Sequence, residues 1–249
     1  MPVKTRIADR IGEIILDRPP VNALDSAGWN EVPDIIEAVG RDPEVRCVLI
    51  RGEGRGFCGG VDIKEMQAHP ERIVALNRGN YRTFRAVRAC EVPVVVAVHG
   101  FIIGSGIGIC GAADVVIAAE DAFFSLPEVD RGAMGGASHL MRMFPLQKVR
   151  AAFFTAGRID AAEAYRLGAV EKVVPRERLE EEARAFAAVI ASKSRKALTI
   201  AKEALNGIEP RDVDHGYRFE QGFTLEMYLH EDSQKARDAF VSSGKAADY

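Results

Sequence analysis

Two glycine-rich segments limit what this chain can become: Phe57-Cys58-Gly59-Gly60-Val61-Asp62-Ile63-Lys64-Glu65-Met66 and Val98-His99-Gly100-Phe101-Ile102-Ile103-Gly104-Ser105-Gly106-Ile107-Gly108. Each leaves an apolar run and opens a helix. A strand that turns through glycines into a helix leaves backbone N–H groups unpaired, at the positive end of the helix dipole. Two such turns side by side could clamp one oxygen that becomes negative during a reaction. Glycine turns before helices also serve plain folding needs, so neither segment alone implies chemistry.

The surrounding pattern predicts an α/β core. Gly12-Glu13-Ile14-Ile15-Leu16-Asp17 reads as a strand ended by Pro19-Pro20, and Ser26 as the N-cap of a helix to about Gly40, weakened in its middle by Pro33. Val45 to Ile50 and the β-branched run Val92 to Val98 read as buried strands, with a helical stretch from about Pro70 to Ala89 between them. A helix opens at Asp62, and Val115 to Ala118 and Ala122 to Ser125 are two further short strands. After Gly136 helical patterns dominate, interrupted at Val170 to Pro175. The expected division is a core domain over residues 1–195 and a helical region over 196–249 that covers the active site or a neighbouring subunit.

Bulk properties exclude several classes. A chain of 249 residues with 47% hydrophobic residues can bury one large core. A net charge of −3, with both signs mixed, gives no electrostatic case for nucleic acid or an anionic membrane. The most apolar stretch, Val92 to Gly104, falls short of the roughly 20 residues that span a bilayer. The charged opening Met1-Pro2-Val3-Lys4-Thr5-Arg6 lacks a signal-peptide core. Cys47, Cys58, Cys90 and Cys110 lie far apart, without metal-site spacing or a disulfide framework. The expectation is a cytoplasmic protein with reduced thiols and no metal.

With these segments in order, the chain resembles the crotonase superfamily, the enoyl-CoA hydratase/isomerase family. The resemblance runs through Asp17-Arg18-Pro19-Pro20-Val21-Asn22-Ala23-Leu24, Gly56 to Met66, Val98 to Asp114, Leu126-Pro127-Glu128 with the glycines to Gly136, Gly168-Ala169-Val170, and Val173-Val174-Pro175. It covers nearly the whole length. It implies a ββα spiral core with two roughly perpendicular sheets, a helical C-terminal region, and self-association as a trimer or dimer of trimers. The substrate is implied to arrive as a coenzyme A thioester, with no cofactor bound permanently. Its carbonyl would become an enolate held by the backbone N–H groups of Val61 and Ser105. Losing one such donor typically costs about 3–4 kcal/mol of transition-state stabilisation.

The same resemblance assigns the remaining roles. Glu128 is the candidate general acid or base. The second glutamate of a hydratase is absent, its position being Gly108, which has no side chain to hold water. Asp130 and Asp160 are candidate second acids, although Asp160 reads more simply as the N-cap of the helix at Ala161. Arg18, Cys58, Asp62, Ile63 and Lys64 map along the coenzyme, with Arg18 and Lys64 as candidate phosphate partners and Cys58 as a small packed residue rather than a nucleophile. Phe240 matches an aromatic that family members often offer to a neighbouring subunit's ligand. The lysine that accompanies it is replaced by Ser243, with Lys245 as an approximate substitute. His99 and His139 read as structural.

One carboxylate suits either a proton-shuttling isomerase or ring-opening C–C hydrolysis of a cyclic β-keto acyl-CoA. A naphthoate-synthase type also has glycine at this position, but its other motifs are not evident. Gly60 to Gln67, Leu126 to Gly135 and Arg218 to Thr224 look like actinobacterial crotonase homologues of steroid degradation, which favours ring opening. An enoyl-CoA isomerase, an atypical hydratase and a non-catalytic acyl-CoA binder stand as the alternatives.

Overall fold

The computed structural model describes residues 3–210, 212–245 and 247. Its first strands, β1 (Val3–Ala8) and β2 (Ile11–Leu16), form an antiparallel hairpin through Asp9 and Arg10, whose φ values of 51° and 65° both lie in the left-handed region. β1 escapes the sequence reading because it is an exposed edge strand, where Lys4 and Arg6 break any apolar signal. Helix α1 (Ser26–Arg41) follows and runs straight through Pro33. Its N-cap is Asp25, which accepts from the Gly28 N–H, so the expected cap at Ser26 is one residue late.

Next come β3 (Cys47–Gly52), the first glycine loop, α2 (Ile63–Ala68) capped by Asp62, and α3 (Ile73–Arg88). The run Val92 to Val98 delivers β4 (Val94–Val98), every residue of it buried. The second glycine loop contains a strand of its own, β5 (Phe101–Ile103), ahead of α4 (Ser105–Ala112). The sequence pattern alone shows a glycine turn there and no strand. β6 (Val115–Ala119), β7 (Phe123–Ser125), α5 (Ala137–Met143), α6 (Leu146–Phe154), β8 (Arg158–Asp160), α7 (Ala161–Arg166) and β9 (Lys172–Val174) complete the α/β part. Four helices close the chain: α8 (Leu179–Ala191), α9 (Arg195–Ile208), α10 (Val213–Tyr228) and α11 (Glu231–Ser243).

The strands form two sheets, β1-β2-β3-β4-β6-β9 and β5-β7-β8. Beyond the first hairpin the large sheet is parallel throughout. Both of its faces are therefore covered, as the unbroken apolar runs demand. Val48, Ile50, Val94, Val96 and Val98 face the main core, while Leu49, Val95 and Ala97 face Leu179, Ala183 and Ala187 of α8. The alanines at i, i+4 let that helix lie close to the sheet. In the small sheet β5 pairs parallel with β7 and β7 antiparallel with β8.

Polar anchors bind the last helices to this core. Lys202 of α9 is buried and donates to Asp114 Oδ2 at 2.7 Å and to the carbonyls of Val87 and Val92. Glu209 receives Arg88 and Arg142. Glu220 of α10 accepts from the Ala137 and Ser138 N–H groups at 2.7 and 3.0 Å, satisfying the first turn of α5 from a distant helix. No helix among the described residues is long and apolar enough to cross a membrane.

Candidate functional site

The two glycine loops meet. Leu24 forms a parallel bridge with Val61: Leu24 N–H donates to the Gly60 carbonyl at 3.1 Å and Asp62 N–H to the Leu24 carbonyl at 2.9 Å. In an extended chain successive backbone groups alternate sides. The Val61 N–H therefore points away from Leu24, towards the second loop. There Ser105 is the first residue of α4, where an N–H has no partner within the helix. The contact between the loops needs glycine at Gly60, whose φ is +87° and where a Cβ would lie 3.0 Å from the Ile103 carbonyl and 3.5 Å from the Ser105 nitrogen. Gly104 likewise has φ +55°. Val61 and Ser105 thus border one space.

Glu128 joins them. It begins a short 3-10 turn, Glu128–Arg131, between Pro127 and Gly132. Its own carbonyl accepts from Ala133 N–H at 2.9 Å, and Ser233 of α11 donates its hydroxyl to the Gly132 carbonyl. A Cβ at Gly132 would sit 2.4 Å from the Ser233 Cα, so α11 packs directly on this turn. Glu128 Oε1 lies 3.2 Å from where a Cβ of Gly104 would be. Oε2 is sealed from solvent with no protein hydrogen-bond partner. Burial pushes the Glu128 carboxyl up to about 8, and the charge of Glu220 acts in the same direction. That value suits a group that both takes and returns a proton near neutral pH.

Val61, Gly104, Ser105 and Glu128 stand at the junction of two connected spaces. The outer cavity, of about 460 Å³, runs past Arg18, Asp62, Ile63 and Lys64 to Arg131, Tyr228 and Phe240. The inner chamber, of about 60 Å³, is walled by Asn80, Phe84, Tyr217, Thr224 and Tyr228. The volumes suit an elongated ligand with its reacting carbonyl at the junction.

The remaining candidates sort clearly. Lys64 is exposed at the cavity mouth, whereas Arg18 pairs with Asp25 at 2.8 Å and approaches Asp62 at 3.9 Å, so its charge is already shared. Asp62 caps α2 through Lys64 and Glu65 N–H. Cys58 does not line the cavity: it is wholly buried, its Sγ donating to the Asn22 carbonyl at 3.3 Å, and burial pushes the thiol up to about 12. Phe240 lines this chain's own cavity, its ring lying 3.8 Å beneath the Arg131 guanidinium. Asp130 borders neither space. Lys245 is exposed and its backbone N–H donates to the Ser243 hydroxyl, away from the cavity. His99 is tied to the Gly54 carbonyl at 3.2 Å, and His139 packs between Phe84 and Tyr217.

Asp160 also lies outside both spaces, exposed at the end of β8, where it accepts from the Glu163 N–H at 2.8 Å as the N-cap of α7. Its replacement is expected to act on stability alone. Asp160→Ala should cost about 1 kcal/mol in denaturant unfolding and leave kcat unchanged.

Gly108 is filled rather than vacant. A Cβ there would lie 2.1 to 2.5 Å from three atoms of the Phe84 ring. Phe84 in turn stacks against Trp29, His139 and Tyr217. The inner-chamber residues Asn80, Tyr217 and Tyr228 were not singled out from sequence. Their signal is a polar group on a buried helical stripe: Ile73, Leu76, Asn80, Thr83, Phe84 and Val87 on α3, and Val213, Tyr217, Gln221, Thr224 and Tyr228 on α10.

Comparison with known proteins agrees with this geometry. The enoyl-CoA hydratase/isomerase family profile matches residues 6–247. A Rhodococcus jostii protein named (7aS)-7a-methyl-1,5-dioxo-2,3,5,6,7,7a-hexahydro-1H-indene-carboxyl-CoA hydrolase is 49% identical over 243 residues, 97% of this chain and 94% of the relative. Its Mycobacterium tuberculosis namesake is 48% identical over 231 residues, 92% of this chain and 93% of the relative. The crystal structure of an enoyl-CoA hydratase from Mycobacterium avium subsp. paratuberculosis superposes with a TM-score of 0.87 at 28% identity, covering 100% of this chain and 98% of the other. Paired glycine loops, a buried Pro-Glu carboxyl and these relatives lead to one assignment: the chain is an enzyme of the enoyl-CoA hydratase/isomerase family.

Proposed function

We propose that this enzyme hydrolyses a ring carbon–carbon bond of a cyclic keto acyl-CoA of the steroid-degradation type; the Rhodococcus and Mycobacterium relatives are named as hydrolases of a dioxo-hexahydroindene-carboxyl-CoA. The observation that carries the reading is the single buried carboxyl of Glu128 at the junction of the two amide-bearing loops, with the second carboxylate position of a hydratase taken by the Phe84 ring. Among the described residues, Glu128 is the one carboxyl that borders both spaces. Ring opening needs only one.

The thioester carbonyl rests against the Val61 and Ser105 N–H groups, and the coenzyme leads out past Ile63 and Lys64 beneath Phe240. Glu128, as carboxylate, removes a proton from water while the water oxygen bonds to the ring ketone carbon. The adjacent ring bond breaks, and its electron pair moves by conjugation onto the thioester oxygen. The two amides stabilise that negative oxygen where it develops. Glu128 then delivers its proton to carbon. One water has been added, and the product is a ring-opened carboxylic acid still joined to coenzyme A.

Exposed apolar side chains on the last helices, including Ile208, Phe219, Phe223 and Leu229, support self-association as a trimer or dimer of trimers. Four free, buried cysteines fit a reducing cytoplasm.

The deciding experiment offers enoyl, 3-enoyl and cyclic keto thioesters and reads products by mass. Gain of one water on the cyclic ketone with ring opening is expected. Rapid hydration of crotonyl-CoA would overturn the one-carboxylate mechanism. A base must be ionised to act, so log kcat/KM should rise with pH and level off above an apparent pKa of about 8. A flat profile between pH 6 and 9 would exclude Glu128 as the base.

A further inference from the structure

The ring-opening reading leaves one question: what holds the water? In a two-carboxylate hydratase the second acid does so, and here Gly108 and Phe84 exclude it. The inner chamber contains an answer. Two polar atoms of its lining residues, Glu128 Oε2 and Asn80 Oδ1, are buried without a protein partner. Asn80 is 5% exposed and lies on the apolar face of α3. Buried acceptors are nearly always satisfied, and two orphans in one cavity call for a shared donor. A water molecule has two O–H groups to give. The chamber, at about 60 Å³, exceeds the roughly 10–15 Å³ that a water requires.

The Asn80 amide is also oriented. Gln221 and Asn80 both act on the Tyr217 hydroxyl as hydrogen-bonding partners that favour its ionised form, against the burial that pushes the phenol up. A group that favours a phenolate donates to it. Asn80 thus has Tyr217 beside it, and its Oδ1, which has no protein partner, is left for the chamber. Gln221 is itself fixed, donating to the Asn77 carbonyl at 2.6 Å and accepting from Arg218.

We infer that the hydrolytic water is held between Glu128 Oε2 and Asn80 Oδ1, so that an amide on α3 takes the water-holding part of the missing second carboxylate. An amide serves where a second carboxylate would not be needed. It accepts one water hydrogen without competing for the proton, which leaves Glu128 as the sole base. The arrangement also places the water on the acyl side of the thioester amides, where a ring ketone carried into the inner chamber would meet it. This assignment rests on the ring-opening function proposed above for its reaction, but its geometry can be tested separately.

Asn80→Leu removes the acceptor at similar size, and Asn80→Asp keeps it. With the cyclic keto thioester, Asn80→Leu should lose roughly 100-fold in kcat with KM within a few-fold of the wild type. Asn80→Asp should retain most turnover, with its pH profile moved to higher pH because a second negative charge faces Glu128. A merely structural Asn80 would give the opposite pattern, with both variants impaired and no pH displacement. Wild-type kcat in Asn80→Leu would also overturn the assignment. Independently of any substrate, a high-resolution crystal structure of the unliganded wild-type enzyme should show one water within hydrogen-bond reach of both oxygens, and none there in Asn80→Leu. A wild-type chamber whose water touches only one of the two oxygens refutes the inference even if ring opening is observed. Failure of the wild type to open a cyclic ketone refutes the proposed reaction, while the bridging water still decides the assignment of Asn80.

Discussion

Glu128→Gln is expected to lower kcat by about 10³-fold on the cyclic keto thioester while leaving thioester binding within a few-fold of the wild type. The substitution keeps the size and the burial of the side chain but removes its capacity to take a proton. The Val61 and Ser105 amides, which belong to other loops, keep their positions. Steady-state kinetics with a separate binding titration checks both halves. Turnover near the wild-type level would remove Glu128 from the mechanism.

The same variant should be more stable than the wild type in alkaline solution. The folded state raises the carboxyl from an ordinary value of 4.5 to about 8, so it favours the protonated form. The stability contributed by this group is complete below pH 4.5 and is lost as pH rises through about 8. Glutamine carries no such penalty. The stability difference in favour of Glu128→Gln should therefore grow between pH 4.5 and about 8 and then level off, which denaturant unfolding at several pH values will measure. On the proposed mechanism, stability given up at this position keeps a base poised for proton transfer.

Gly108→Glu, the change that would write a hydratase carboxylate back into the sequence, should fail as a gain of function and damage the fold. Its Cβ would lie within 2.5 Å of three atoms of the Phe84 ring. Phe84 is 2% exposed and is held by Trp29, His139 and Tyr217, so it has nowhere to go. Overpacking typically costs 1–3 kcal/mol, and a buried carboxyl without partners adds to it. We expect a loss of at least about 3 kcal/mol, or roughly 6–12 °C in Tm, and no hydration of crotonyl-CoA. Combining Gly108→Glu with Phe84→Ala should recover part of the stability, because it removes the ring that causes the clash. A soluble, undiminished Gly108→Glu protein would show that the Phe84 ring yields.

What the sequence could reveal was set by how far each signal reaches. The large sheet was legible because Val48 to Ile50 and Val94 to Val98 are buried on both faces, which leaves unbroken apolar runs. β1 and β5 were not, the first because an exposed edge carries charge, the second because three residues inside a glycine loop make no pattern. At the site, Val61, Ser105 and Glu128 are singled out in the sequence by position in a recurring order of motifs, and in the structure the three line one cavity. Asn80 and Tyr217 were not found, since a single polar residue on an apolar helical stripe looks like any buried exception. Gly108 reads in the sequence as a position without a side chain, and only the packed structure reveals that the Phe84 ring fills the place. Cys58 illustrates the converse: it lies within a ligand-binding motif yet turns inward, away from the cavity.

The turn that carries Glu128 is closed by Ser233, a hundred residues later in the chain. The amides of Val61 and Ser105 belong to the two glycine loops, which a ribosome delivers early. The turn bearing the proton-transfer group gains its clamp only when α11 has left the exit tunnel. Tyr228 and Phe240, which wall the outer cavity, come from the same late part of the chain, so the cavity and the clamp on the Glu128 turn are completed together, and a chain interrupted before α11 has neither.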